Sequence, residues 1–184
     1  MPLEKILDVS SVRFKELWKI YESSFPVDER RNLPDQIEVL KNPQYVLFAF
    51  CQDQEVQGLL AVWDFDNFSF IEHFAVREDL RAKGIGTSLL KAYLNQTRKK
   101  VILETERPDA NEIAQRRIRF YERLGFVLNR HDYIQPPYSA EKKPVPLFLM
   151  SYPAAIDEVE FNDIRRALHT KVYKLKEPLT SLVA

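Results

Sequence analysis

The chain has 184 residues, 45% of them apolar and 29% charged, which describes one folded domain with a substantial core and excludes a disordered chain. Lys plus Arg equals Asp plus Glu at 27 each, so no overall field favours nucleic acid as a partner. A single cysteine, Cys51, excludes an intrachain disulfide; no apolar run reaches the length of a membrane span, and Glu4, Lys5 and Asp8 stand where a signal peptide would be apolar, so a cytoplasmic protein without membrane partners is expected.

In chain order, residues 3–9 read as a first strand. Ser10 or Ser11 can cap a helix running to about Ser23, with Phe14, Leu17, Trp18 and Tyr21 on one face, and Phe25-Pro26 breaks it. A second helix is expected over 33–40, with Pro34 tolerated in its first turn. Residues 45–51, 56–65 and 68–76 read as three strands of an antiparallel meander, and Cys51 packs there as a small hydrophobe. A helix follows over 87–97, with Leu90, Leu94 and Thr97 as one stripe and Leu89 and Tyr93 beside it. Residues 101–104 are a short buried strand, parallel to its neighbour because a helix separates them.

Asp109 or Asn111 starts the next helix, with Ala114, Ile118 and Tyr121 at helical spacing, and Gly125 fits a left-handed cap. Residues 126–128 resume as strand. Prolines bracket an irregular loop over 134–143, and 147–152 is the last strand. Beyond Pro153, Val159, Ile164 and Leu168 mark an amphipathic helix over 157–170, whose apolar face must dock on this chain or on a second subunit. Monomer and homodimer both stay open. Antiparallel strands first and βαβα later give an α/β fold, a mixed, mostly antiparallel twisted sheet with flanking helices. The expected division is a domain over 1–153 and a helical appendage over 154–184.

Two of the four glycines fall in the hexapeptide Arg81-Ala82-Lys83-Gly84-Ile85-Gly86, between strand and helix. Such a turn leaves backbone N–H groups pointing outward at the positive end of a helix dipole, a site for phosphate, and glycine lets the backbone come close. Glycines also end strands for steric reasons alone. Glu72 is a carboxylate within the apolar strand 68–76, a costly position unless it lies at the sheet's solvated end, is paired with an arginine, or is put to use. Glu104 ends the next strand. His73, His131 and His169 are isolated and show no metal-ligand spacing, so no metal is expected.

Arg81-x-x-Gly84-x-Gly86 after a strand resembles the acyl-CoA pyrophosphate loop of the GCN5-related N-acetyltransferase superfamily. Arg119-Phe120-Tyr121-Glu122-Arg123-Leu124-Gly125-Phe126 is similar to the same superfamily's later helix–strand signature, and the order fits. The resemblance covers about 3–152 and implies the GNAT-like fold with acetyl-CoA as cosubstrate. It implies that main-chain groups of Phe74 and Val76 pair with pantetheine. The loop Arg81, Ala82, Lys83, Gly84, Ile85, Gly86 and Thr87 would hold the pyrophosphate. Tyr121 would be the general acid for the leaving thiolate, and the base is Glu72, Glu104 or ordered water. The implied reaction is direct attack by a primary amine of a small molecule or peptide in a ternary complex. A non-catalytic acyl-CoA-binding sensor is the alternative. A bare nucleotide-binding loop leaves residues 119–126 unexplained.

Overall fold

The computed structural model describes residues 3–179, which fall into two compact units: residues up to 26 with 30–99, and 27–29 with 100 onward. In the first unit, β1 (Leu3–Lys5), β2 (Tyr45–Gln52), β3 (Glu55–Asp64) and β4 (Phe68–Val76) pair antiparallel in chain order. Helices α1 (Val12–Ser24), α2 (Leu33–Val39) and α3 (Ile85–Leu94) flank them. Every residue of β3 from 56 to 63 is buried, as an inner strand packed by helices requires. α1 and α3 both pack against it. Gly58 makes that packing possible, because a Cβ there would lie 2.7 Å from the Ala75 carbonyl oxygen and 3.1 Å from Leu89 on α3.

Ser11 caps α1, its hydroxyl accepting from the Phe14 N–H at 3.1 Å. Ile20 takes the core place expected of Trp18, which is only half-buried, and Cys51 is half-buried as well. α3 starts at Ile85, two residues before the position the spacing suggested, so the glycine hexapeptide includes the helix's first residues.

In the second unit, β7 (Val145–Tyr152) lies between β5 (Lys100–Glu106) and β6 (Val127–Gln135), antiparallel to both. Asn111 caps α4 (Glu112–Glu122), accepting from the Ala114 N–H at 2.8 Å, and Ala114, Ile118 and Tyr121 are its buried face as expected. The helix ends in a Schellman motif. The Phe126 N–H reaches the Tyr121 carbonyl and the Gly125 N–H the Glu122 carbonyl, with Gly125 at φ +90°.

β6 runs to Gln135, so Tyr133, Ile134 and Gln135 are buried strand rather than open loop. A register shift between Asn129 and Tyr133 bulges the intervening polar residues out of the ladder. α5 (Glu158–Ala167) begins in a capping box between Asp157 and Glu160, packs on β6, and continues as a wider π-helical turn, Leu168–Val172. Its buried stripe is Phe161, Ile164 and Leu168. Val159, expected in that stripe, is 71% exposed, because Phe161 is the residue that stacks on His131, at 4.5 Å.

Candidate active site

The turn after β4 is built to leave its amides open. Ala82 (φ +62°) and Gly84 (φ +82°) both adopt left-handed backbone, and no side chain caps α3 at Gly84. The first intrahelical bond runs from the Ser88 N–H to the Gly84 carbonyl, 3.0 Å, so the N–H groups of Ile85, Gly86 and Thr87 have no acceptor within the helix. Left-handed residues two apart followed by a helix start make a concave set of N–H donors at the positive end of the dipole. Arg81 steadies this turn: its Nε donates to the Val76 carbonyl at 3.2 Å and its Nη2 to Ser24 at 3.4 Å.

On β4, the Arg77 N–H bonds the Gln57 carbonyl of the preceding strand at 2.8 Å. The alternation of an antiparallel ladder then sends the main-chain groups of Val76 and Phe74 to the edge of β4 away from β3. Further up the strand, Ala61 pairs with His73 but Val62 with Ile71, which makes Glu72 the extra residue of a bulge.

The Glu72 side chain is fully buried although the residue as a whole is half-exposed, so its backbone carries the exposure. Its carboxylate meets Arg31 Nη1 at 2.6 Å and accepts from Trp63 Nε1 at 3.1 Å, with His73 Nδ1 at 3.7 Å. Burial alone would raise its pKa, but Arg31 beside it, together with His73, holds the carboxyl well below the usual carboxylate range. Tyr21 ties the cluster to α1, its hydroxyl accepting from the Arg31 N–H at 2.9 Å and meeting His73 Nε2 at 3.3 Å. Of the readings the sequence leaves open for Glu72, the arginine pair is present. Arg31 itself gave no signal, lying in a short polar segment outside any periodic pattern.

The second unit holds Tyr121 and Glu104. Tyr121 is 7% exposed, packed between Phe120 and Phe126 with ring centroids 5.2 and 5.7 Å away. Burial pushes its phenol up to about 12, against the pull of Arg117. Glu104, on β5, is half-exposed. The Tyr133 hydroxyl donates to its Oε1, and the Tyr173 hydroxyl spans both oxygens at 3.0 and 2.8 Å. Tyr138, from the proline-rich loop, lies 5.1 Å from the Tyr173 ring. Sequence reasoning missed Tyr173 altogether, since a contact made 69 residues away leaves no trace in spacing. Among the described residues, no group of three or more His, Cys, Asp or Glu side chains could hold a metal, and no helix is long and apolar enough to cross a membrane.

A family model described as the acetyltransferase (GNAT) family matches residues 14–126, and the chain belongs to that family. A solved structure from Bacteroides thetaiotaomicron, described as a GNAT-family acetyltransferase, is 33% identical with a TM-score of 0.89, covering 96% of this chain and 100% of that one. The acetyltransferase-named protein YjbC of Bacillus subtilis (strain 168) is 29% identical over 103 residues, 55% of this chain and 52% of the relative. The match thus spans about half the length of that curated relative. A GNAT-family acetyltransferase from Elizabethkingia anophelis with acetyl-CoA bound shares the fold at 16% identity and a TM-score of 0.55, covering 82% of this chain and 95% of that one. The expected fold class, α/β with a mixed, mostly antiparallel sheet and flanking helices, is the family's, and the protein is a GNAT-type acetyltransferase.

Proposed function

We propose that this protein transfers the acetyl group of acetyl-CoA to a primary amine of a small molecule or peptide, by direct attack in a ternary complex in the cytoplasm. The observation that carries the reading is the helix start after the left-handed Ala82 and Gly84, where the N–H groups of Ile85, Gly86 and Thr87 have no acceptor within the helix, in a chain of this family. These amides are suited to pyrophosphate, with Lys83 adding charge beside them. The main chain of Phe74 and Val76 pairs with pantetheine.

In the reaction the amine nitrogen bonds the thioester carbonyl carbon, and the carbon–sulfur bond breaks. Tyr121, protonated at neutral pH with a pKa near 12, gives its proton to the departing thiolate. The proton lost by the amine goes to Glu104, directly or through ordered water. Glu72, fully buried against Arg31, serves instead to hold the bulge of β4. Direct attack suits a chain with no serine or cysteine in a nucleophile motif.

Release of the coenzyme thiol from acetyl-CoA, followed with a thiol-reactive dye against small amines, polyamines, aminoglycosides and peptide N-termini, tests the reading. Amine-dependent release is expected. Acetyl-CoA binding without turnover on the whole panel would make the protein a sensor instead.

A further inference from the structure

The matched family region ends at residue 126, yet one of the two phenols on Glu104 comes from far beyond it. The chain takes several steps to deliver that phenol. Asn129, buried on β6, accepts from the Ile156 N–H at 3.0 Å while its amide donates to Ser151 at 2.9 Å, which anchors the entry to α5. α5 then packs through Phe161, Ile164 and Leu168. At Leu168 the helix widens into the π-helical turn, closed by the Tyr173 N–H on the Leu168 carbonyl at 3.1 Å. π-helical turns are rare and occur frequently at functional sites. Lys174 follows at φ +57°, and the chain folds back so that the Leu175 N–H meets the His169 carbonyl at 2.9 Å. The Leu179 N–H then donates to His169 Nδ1 at 3.0 Å. Both ends of the turn are pinned, and Tyr173, 7% exposed, is directed onto the carboxylate.

From this geometry we infer that the segment 168–179 belongs to the acceptor-activating site, with Tyr173 as the positioning residue for Glu104. The inference rests on the reading of Glu104 as proton acceptor. The phenols of Tyr133 and Tyr173 fix the carboxylate's rotamer and so its orientation toward the amine or its relaying water. Hydrogen bonds to the ionised form also favour it. Within the second unit, His169 lies behind Tyr133 at 5.4 Å between rings, Arg107 is paired to Asp132, and Glu106, two residues along β5 from Glu104, is paired to Arg117. Tyr138, stacked on Tyr173, carries the Lys142 ammonium 5.6 Å from its ring.

The test is Tyr173→Phe in the full chain, which keeps the ring and removes only the hydroxyl. Glu104 is followed in 13C-glutamate-labelled protein by NMR titration, its signal assigned with Glu104→Gln. In parallel, kcat/KM for the best amine is measured against pH. The carboxyl midpoint should rise by about one pH unit on loss of a phenol donor, and the acidic limb of kcat/KM should rise with it. kcat should fall about tenfold, with acetyl-CoA affinity unchanged in a chain that still folds, and the melting temperature should drop slightly, as a raised folded-state midpoint requires. Tyr133→Phe should move both readouts the same way. An unmoved midpoint in Tyr173→Phe overturns the clamp itself. A moved midpoint with an unmoved limb shows that Glu104 is not the proton acceptor, and overturns the inference by removing the reading it rests on.

Discussion

Arg31 and Glu72 meet at 2.6 Å with their side chains 6% and 0% exposed, which makes them a buried ion pair rather than a surface contact. Breaking such a buried pair by removing one partner costs about 3–5 kcal/mol. Glu72→Gln should therefore lower the unfolding free energy by about 3 kcal/mol in urea. The double variant Arg31→Met, Glu72→Met should recover much of that loss, since neither charge is then buried. The sign with pH follows from the depressed carboxyl: the pair's contribution is present above the ordinary 4.5 and is lost as pH falls below it. The acidic limb of kcat/KM should survive in Glu72→Gln and vanish in Glu104→Gln. The reverse pattern would return the base role to Glu72.

Gly84 sits at φ +82°, and a Cβ there would meet nothing within 4 Å. Gly84→Ala thus separates backbone strain from steric clash inside the protein. It should cost about 1–2 kcal/mol of stability, the price of left-handed backbone for an L residue. Gly84→Val should in addition abolish acyl-CoA binding in a chain that still folds. Calorimetric titration with coenzyme A, beside a thermal melt of each variant, measures both. Unchanged coenzyme affinity in folded Gly84→Val would remove the phosphate role from this turn.

Much of the fold was legible because it is local. The apolar run Phe68–Val76 is β4 to the residue, and the spacing of Ala114, Ile118, Tyr121 and Gly125 gives both the buried face of α4 and its cap. What could not be read was set by partners distant in the chain. Arg130, His131 and Asp132 break the alternation of β6, and Pro136 follows, so Tyr133 looked like loop. The bulge at Glu72 is a property of two strands together, and neither Arg31 nor Tyr173 stands in any motif. The loop that resembles the family was legible as sequence. The residues that hold the two carboxylates were not.

Tyr121→Phe removes a hydroxyl from a side chain held by Phe120 and Phe126. If the phenol protonates the leaving thiolate, turnover at saturating substrates should fall about a hundredfold or more. Coenzyme affinity and melting temperature should stay near wild type, which separates loss of an acid from loss of packing. A phenol at about 12 keeps its proton throughout the usual assay range, so no alkaline limb below pH 10 should belong to it. Wild-type kcat in Tyr121→Phe would mean that the thiolate leaves unassisted.

His169 couples the C-terminal segment to acid. It is wholly buried, and its Nδ1 accepts from the Leu179 N–H, which only a ring unprotonated at that nitrogen can do. Burial chiefly lowers its pKa from 6.5 to about 4. The unfolded chain therefore binds a proton below about 6.5 that the folded chain refuses until about 4, and stability falls as pH falls through that window. At about 1.4 kcal/mol per pH unit, the loss from this residue between pH 7 and pH 5 is about 2 kcal/mol. His169→Gln keeps a side-chain acceptor and does not titrate. Urea unfolding of both proteins at the two pH values should show a difference of that size between their losses. Equal losses would place the acid sensitivity elsewhere. Because Tyr173 hangs from the same turn, amide exchange at Leu179 should quicken in wild type as pH nears 4, after correction for the intrinsic rate, and stay flat in His169→Gln.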